Sequence, residues 1–282
     1  MTTTPMSTRP GEPEDPDLRD RYARDAWERR EAQRLEAARA AAETPPSRTP
    51  RGPIRVIAAL VAAALLVAAG ISLAGPMLRQ TESRDTTLPT GLSSLSLKNG
   101  VGDVRIRVAQ PGETPKLTST VEWGLRKPTT SVETSTNGAT IRGRCPTGPV
   151  SVCSTDWLIV VPPDTEIDVD QGVGQVRVEG TSGDLDIMTG VGDVRVSDAA
   201  ARDIAVEVGV GGARIESVEP PRRVQANLGV GDLVVAVPDT VRYRVRSTGG
   251  AAEVRNSLGS SPSAERRIDA EVGVGGVRIE PS

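Results

Sequence analysis

Short runs of alternating apolar and polar residues dominate the chain from residue 95 to the C-terminus. In one of these runs, Ile204, Val206 and Val208 alternate with Ala205 and Glu207. A period of two places successive side chains on opposite faces of a β-strand, so that one face is apolar and the other is wet. The pattern therefore predicts an all-β domain over residues 95–282.

The alternating runs follow Gly-Val-Gly triplets, and together they form a repeat. Its copies are GVGDVRIRV (100–108), GVGQVRVEG (172–180), GVGDVRVSD (190–198), GVGGARIES (209–217), GVGDLVVAV (229–237), GVGGVRIEP (273–281) and the degenerate STGGAAEVR (247–255). Self-similarity at a short period is typical of stacked repeat architectures. We therefore expect an all-β repeat stack, similar to a β-solenoid, with two strands in each repeat and a glycine corner between them.

Two positions of the repeat lead to further expectations. We expect the valine between the glycines, as in Val191 and Val210, to pack into a corner of the core. Asp103, Asp193 and Asp232 follow the glycines, where an aspartate commonly bonds to its own backbone in a turn. A calcium-binding β-roll is the rival interpretation, but its period is about half as long. Other copies also lack the aspartate.

Residues 109–171 interrupt the series of repeats along the chain. Longer strands are predicted there in the segments 116–125, 130–135, 139–144 and 156–161. We expect Trp123 or Trp157 to cap or widen the core in this region, because a large aromatic side chain fills space that the small residues of the repeats do not.

One apolar segment, residues 56–75, divides the chain. Its first nineteen residues, VIAALVAAALLVAAGISLA, carry no charge, and as a helix they would span about 28 Å, close to the hydrocarbon thickness of a bilayer. A cleaved signal peptide is the alternative, but the 55 residues before the segment exceed a usual n-region. Arginines are more frequent before the segment than after it, which predicts a cytoplasmic N-terminus and an extracytoplasmic C-terminal domain. The chain is thus expected to be a single-pass protein of the cell membrane.

The remaining segments differ in composition. Residues 1–16 are rich in Thr, Pro and acidic groups and are expected to be disordered. Residues 17–43 are rich in Ala, Glu, Arg and Leu and predict a cytoplasmic helix, which is either solvated or docked on a partner. A Pro- and Arg-rich linker over 44–55 precedes the anchor, and a second linker over 76–94 follows it.

Composition restricts the chemistry of the chain. There is no His and no Phe, and 34 Lys and Arg against 37 Asp and Glu give a net charge of -3. Such a balanced charge argues against a nucleic-acid partner. The absence of His removes His-based catalysis and His metal ligands, so no catalytic, cofactor-binding or metal-binding residue is predicted. The two cysteines, Cys145 and Cys153, flank the turn-forming sequence PTGPVSV. We expect a disulfide between them in an oxidising compartment, with two free thiols as the alternative.

Carboxylates suggest one enzymatic alternative. A ladder is predicted on the same face of two successive strands, formed by Asp168, Asp170, Asp184 and Asp186. A polysaccharide-cleaving enzyme would need one protonated carboxyl group in a pocket, and the sequence does not indicate a pocket. We expect Arg177 and Arg195 to interleave with these carboxylates, so that the ladder is a solvated charge network and the protein is not an enzyme.

The run LIVVPPDTEIDVDQGVGQVRVEGTSGDLDIMTGVGDVRV (158–196) carries a family resemblance. Its V-x-x-P strand and recurring Gly-Asp-Val/Leu turns resemble the adhesin-like β-strand-repeat domain of unknown function in bacterial membrane-anchored envelope proteins. That group is itself distantly similar to the C-terminal domain of LiaF-type envelope-stress regulators. The resemblance covers residues 95–282, implies an all-β stack and brings no catalytic residues.

These observations favour a non-enzymatic envelope protein whose outer domain acts as a binding or scaffolding module. Its expected partners are the membrane, through one spanning helix, and an envelope protein or a cell-wall polymer. An envelope-stress sensor that signals through the cytoplasmic helix is the alternative. The sequence leaves the oligomeric state open.

Overall fold

The computed structural model describes residues 31–36, 39, 79–146, 153–250 and 253–282. Residues 31–36 and 39 are helical and exposed, and they fall within the predicted cytoplasmic helix. The rest of that helix, residues 1–16, the linker over 44–55 and the anchor over 56–75 lie outside the described residues. Within the described part of the chain, no helix combines the length and the hydropathy needed to cross a membrane.

The described residues after Arg79 form an all-β domain, which confirms the all-β part of the predicted fold class. Its strands are β1 (Gln80–Thr87), β2 (Ser94–Val101), β3 (Val104–Val108), β4 (Lys116–Trp123), β5 (Thr129–Thr134), β6 (Gly138–Arg144), β7 (Cys153–Val161), β8 (Glu166–Val173), β9 (Val176–Glu179), β10 (Leu185–Val191), β11 (Val194–Ala199), β12 (Asp203–Val210), β13 (Ala213–Ser217), β14 (Arg223–Val230), β15 (Leu233–Val237), β16 (Tyr243–Gly249), β17 (Glu253–Asn256), β18 (Arg266–Val274) and β19 (Gly276–Pro281).

Consecutive strands of each repeat alternate between two sheets. We call such a pair of strands, one on each side of a corner, a rung. Sheet A has the order β1-β4-β7-β3-β9-β11-β13-β15-β19-β17, and sheet B has the order β16-β18-β14-β12-β10-β8-β2-β6-β5. Equivalent strands of neighbouring rungs pair in parallel and in register, so that Val176 lies beside Val194 and Val194 beside Ala213. The sequence repeat is therefore also a repeat in space.

The inward side chains of both sheets form one hydrophobic cluster. Ile187 and Val206 of sheet B and Val196 and Ile215 of sheet A are among its members, and each is at most 2% exposed. Because every rung contributes similar Val, Ile, Leu and Ala side chains, the core closes without Phe. The largest buried side chain is Trp157. It lies on β7, so the expectation that Trp123 or Trp157 fills the core near this region is confirmed for Trp157.

The second glycine of each corner occupies a position that no other residue fits. Gly192 and Gly211 have φ angles of 145° and 142°, a region that residues with a Cβ rarely adopt. A Cβ at Gly211 would lie 1.9 Å from the carbonyl oxygen of Gly192 in the neighbouring rung. We call these second glycines of successive corners the glycine column. Because a side chain would not fit there, the column allows successive rungs to stack closely.

The order of rungs in space differs from their order along the chain. Rung β2/β3 pairs directly with β8/β9, so residues 109–171 do not interrupt the stack in space. Within that stretch, β6/β7 forms a further rung on the outer side of β2/β3. Strands β4 and β1 then extend sheet A, and β5 extends sheet B, all by antiparallel pairing.

The C-terminal end of the stack is also reordered. Rung β18/β19 lies between β14/β15 and β16/β17, although it follows β16/β17 along the chain. The reason lies in the corners. A Cβ at Gly275 would lie 1.8 Å from the Gly231 carbonyl oxygen, so the two intact Gly-Val-Gly corners stack closely. The degenerate copy over 247–255 is left as the end of the stack.

The β-domain begins earlier than predicted. Residues 76–94 were expected to be a linker, but Gln80–Thr87 form β1 and pair along their whole length with β4. Leu88 and Leu92 are buried in the core. The sequence of β1, QTESRDTT, has no apolar alternation because it is a polar edge strand, and polar residues are common at sheet edges.

Candidate functional site

Carboxylates cover the outward side of sheet B in the middle of the stack. The residues that alternate with the buried positions of β8, β10 and β12 point away from the core. We call the acidic residues on or next to these strands the acidic face: Glu166, Asp168, Asp170, Asp184, Asp186, Asp203 and Glu207. Asp168 lies beside Asp186 in register, so the predicted carboxylate ladder is confirmed for this pair, whereas Asp170 lies beside Met188. Applying the same alternation to β12 identifies Asp203 and Glu207, which the sequence reasoning missed.

Neighbouring residues hold part of the acidic face in place. The Asp168 carboxylate accepts a hydrogen bond from the Ser96 hydroxyl at 3.1 Å. The Asp170 carboxylate lies 3.6 Å from the Lys98 ammonium in an exposed ion pair. Such an exposed pair contributes little to stability, so Asp170 remains available to a partner.

Asp186 is the carboxylate whose ionisation is most affected by this environment. Partial burial raises its pKa, and the negative charges of Asp168 and Glu207 raise it further. A cationic group placed against Asp186 would relieve this repulsion. The electrostatics of the acidic face therefore favour a positively charged partner.

A shallow groove of about 390 Å³ crosses the acidic face, and Arg223 and Gln225 lie on its rim. Beyond the groove, arginines replace the carboxylates in the same column of outward side chains. Asp203 lies beside Arg223, Arg223 beside Arg267, and Arg267 beside Arg244. Along this column, sheet B is therefore acidic at its centre and basic towards its β16 edge, whereas β18 also carries Asp269 and Glu271 on its outward side.

The predicted interleaving of Arg177 and Arg195 with the carboxylates is wrong. Both arginines point outward from sheet A, whereas the acidic face belongs to sheet B. Each glycine corner carries the chain from one sheet to the other. The outward side chains before a corner and those after it therefore lie on opposite surfaces of the domain. The outward arginines of neighbouring sheet A strands form a column: Arg105, Arg177, Arg195 and Arg214.

Carboxylates flank the arginines of sheet A and compensate much of their charge. Arg214 lies 3.8 Å from Glu216, and Arg107 forms a two-pronged ion pair with Glu113 at 2.6 and 2.7 Å. The Arg107 guanidinium and the Gln110 backbone N–H lower the pKa of Glu113 to about 2. Sheet A thus presents mixed charge, whereas carboxylates predominate on the acidic face of sheet B.

The turn aspartates connect one rung to the next. The Asp193 carboxylate accepts a hydrogen bond from the Gly212 backbone N–H at 2.8 Å, and Asp232 accepts one from Gly276 at 2.8 Å. The expectation that these aspartates bond to their own turn is therefore wrong. Across the described ranges, no cluster of acidic or cysteine side chains has a geometry that could hold a metal ion.

The valines of the glycine corners are exposed, contrary to the prediction that they pack into the core. Val208 is 1% exposed, whereas Val210, two residues later, is 50% exposed. The intervening glycine and the positive φ of the next one break the strand alternation and turn the valine outward. The exposed corner valines stack in register as a ridge: Val173, Val191, Val210, Val230 and Val274.

Cys145 and Cys153 form a disulfide, with Cα atoms 5.8 Å apart. The bond closes the corner of rung β6/β7, where the Gly-Val-Gly triplet is absent. Beyond this corner, Asp156 accepts a hydrogen bond from the Asp103 backbone N–H, as the turn aspartates of the repeats do for their neighbours. The disulfide therefore joins the residue after β6 to the first residue of β7.

Comparisons with known proteins yield similarities of fold only. No family model and no curated protein matches the chain. A solved structure of a candidate cell adhesion protein from Clostridium sporogenes is 16% identical, with 72% of this chain and 100% of that chain covered and a TM-score of 0.46. A candidate adhesin from Bacteroides fragilis is 14% identical over 72% of this chain and 97% of its own, with a TM-score of 0.40. A candidate adhesin from Parabacteroides distasonis is 9% identical over the same shares, with a TM-score of 0.25.

Proposed function

We propose that the chain is a non-enzymatic, single-pass envelope protein whose β-domain acts as a binding or scaffolding module outside the cell membrane. The observation that carries the proposal is the acidic face of sheet B. Asp168 and Asp186 lie side by side there on neighbouring parallel strands, which are about 4.8 Å apart. A surface that repeats the same charge at a fixed spacing is suited to an extended partner rather than to a small molecule.

The partner that fits this surface is a positively charged envelope protein or a cell-wall polymer with cationic groups. Asp186 supports this choice, because burial and the charges of Asp168 and Glu207 raise its pKa, and a neighbouring cation would stabilise its ionised form. Met188 supports it as well. It lies between Asp170 and Glu207 and is 48% exposed, so an apolar contact is available at the centre of the charged surface.

The cellular location in the proposal rests on two features. The uncharged segment over 56–75 has the length and composition of a membrane anchor. The disulfide between Cys145 and Cys153 favours an oxidising compartment for the β-domain.

Photo-cross-linking in intact cells tests the proposal. A photoreactive amino acid at Met188 of the full-length protein is expected to form adducts with an envelope component. Replacement of Asp168, Asp170 and Glu207 by their amides should abolish these adducts. The matched control, with Arg195 and Arg214 replaced by Gln on sheet A, should leave them unchanged.

Three results would contradict the proposal. The first is the absence of adducts at Met188, and the second is equal loss of adducts in the sheet B and sheet A variants. The third is glycan hydrolysis by the purified protein that stops on Asp168→Asn or Asp184→Asn, because it would make the chain an enzyme.

A further inference from the structure

One end of the β-domain combines the chain entry with an exposed aromatic and basic loop. Gln80, the first residue of β1, lies opposite Trp123, the last residue of β4. Trp123 in turn lies opposite Cys153, the first residue of β7. The chain therefore enters the domain at the end of sheet A where residues 123–127, here called the Trp123 loop, leave β4.

The predicted anchor lies within a short length of chain from this end. Four residues, 76–79, separate the end of the segment over 56–75 from Gln80, so Gln80 is the fifth residue after that segment. Five extended residues span at most about 18 Å. Any bilayer that holds this segment is therefore within a few nanometres of the Trp123 loop.

The side chains of the Trp123 loop have the chemistry of a membrane interface. Leu125 is 69% exposed, more than any other large hydrophobic residue among the described positions. Trp123 is half-buried, and the Lys127 ammonium lies 4.9 Å from the centre of its ring. Trp is enriched where a bilayer meets water, because its ring is apolar at one end and polar at the other.

The charge around the loop is positive. Arg126 and Lys127 belong to the loop and Arg79 precedes β1, whereas Glu82 lies in β1 and Glu122 at the end of β4. Glu82 forms an ion pair with Lys127, so the loop is tied to β1 beside the point of chain entry. Basic side chains close to a membrane surface are attracted to anionic lipid headgroups.

From these observations we propose that the Trp123 loop contacts the bilayer surface, with Trp123 and Leu125 among the upper acyl chains and Arg126 at anionic headgroups. This contact rests on the anchor of the proposed function. It would fix the orientation of the β-domain relative to the membrane, since the domain would be held at two points instead of one.

Fluorescence quenching by brominated lipids tests the contact in the full-length protein. Trp27 is replaced by Tyr, so that only Trp123 and Trp157 emit. The protein is reconstituted into vesicles of phosphatidylcholine and phosphatidylglycerol, with and without bromine on the acyl chains. Emission from Trp123 is expected to fall in the brominated vesicles. The additional variant Trp123→Tyr, which leaves only the buried Trp157, should show no loss.

Two loop variants locate the cause of the quenching. Leu125→Ser combined with Arg126→Gln should remove it, and Val218→Ser, at another exposed apolar position, should not. Carbonate extraction separates the two proposals. Release of the chain from the membrane would refute the anchor. A chain that resists extraction, but whose Trp123 is not quenched, would refute the loop contact alone. Adducts of a photoreactive group at Leu125 with a protein instead of a lipid would also refute it.

Discussion

The carboxylate of Asp193 accepts a hydrogen bond from the backbone N–H of Gly212, although the two residues belong to different rungs. Asp103 and Asp232 make the same bond to Gln175 and Gly276. The turn aspartate of these repeats therefore adds a hydrogen bond between rungs at the corner, where the pairing of the strands is interrupted.

Loss of this bond should weaken the stack. Asp193→Ala is expected to lower the free energy of unfolding by about 1 kcal/mol, the usual value of a hydrogen bond whose partner can reach water. Urea unfolding followed by tryptophan fluorescence measures the change. Asp193→Asn keeps an acceptor oxygen and should lose less. Equal losses in the two variants would show that the bond to Gly212 is not the cause.

Substitution in the glycine column should be far more harmful. Gly211→Ala is expected to cost roughly 3 kcal/mol or more, because the added Cβ meets a backbone oxygen that cannot move without breaking the stack. Gly112→Ala is the matched control. Gly112 also has a positive φ, 82°, but a Cβ there meets nothing within 4 Å. It should cost about 1 kcal/mol from backbone strain. Similar costs at the two positions would contradict the steric role of the column.

Removal of the disulfide should destabilise the β6/β7 end. Replacement of Cys145 and Cys153 by Ser is expected to cost about 2–3 kcal/mol, because the short loop gains freedom in the unfolded chain. Reduction of the native protein should lower its melting temperature to that of the double variant, which itself should not respond to reductant. Hydrogen exchange should accelerate in β6 and β7 more than in β12. Unchanged melting on reduction would contradict this prediction.

The acidic face should make stability depend on pH through Asp186. Its pKa in the folded protein lies above the ordinary value of 3.8, so folding disfavours the ionised form. Stability is therefore lost as pH rises from that value through the raised pKa. Asp186→Asn is expected to increase the melting temperature at neutral pH and to have no such effect below pH 3.8.

A double-mutant comparison identifies the source of this effect. With Asp168 already replaced by Asn, one of the two repelling charges is gone, so Asp186→Asn should increase the melting temperature less. A gain that is the same at both pH values, or unaffected by Asp168→Asn, would show that repulsion on the acidic face is not responsible.

Much of the fold follows from the local pattern of the sequence. Residues such as Ile204, Val206 and Val208 alternate with polar neighbours, and they occupy the inward side of β12 as the period of two requires. The strands between residues 116 and 161 also agree with their predicted segments to within three residues. Local alternation is sufficient here because each strand has one buried face.

Whether a corner valine is buried or exposed does not follow from that pattern. Val208 and Val210 are equally apolar and have the same phase, yet only Val208 is buried. The difference arises from the backbone conformation of the two adjacent glycines, and glycine gives no sequence signal that chooses one conformation over another. The same bend transfers Arg195 to a different sheet from Asp186, which is why the acidic face was predicted without its correct neighbours.

The order in which the rungs pair in space cannot be predicted from the local sequence pattern either. The copies at 247–255 and 273–281 both follow the rung that ends at Val237, and nearest-neighbour stacking would place them in chain order. The structure reverses them, because closeness of the glycine corners, and not position in the sequence, decides which rungs fit together.

This reversal affects how the domain is completed during synthesis. Chains generally fold from the N-terminus as they emerge, yet β18 and β19, which are made after β16 and β17, form an interior layer. Until β18 and β19 have been made, β16 and β17 lack the strands with which they pair. Synthesis that stops between β17 and β18 would therefore leave a gap inside the domain rather than a shortened end.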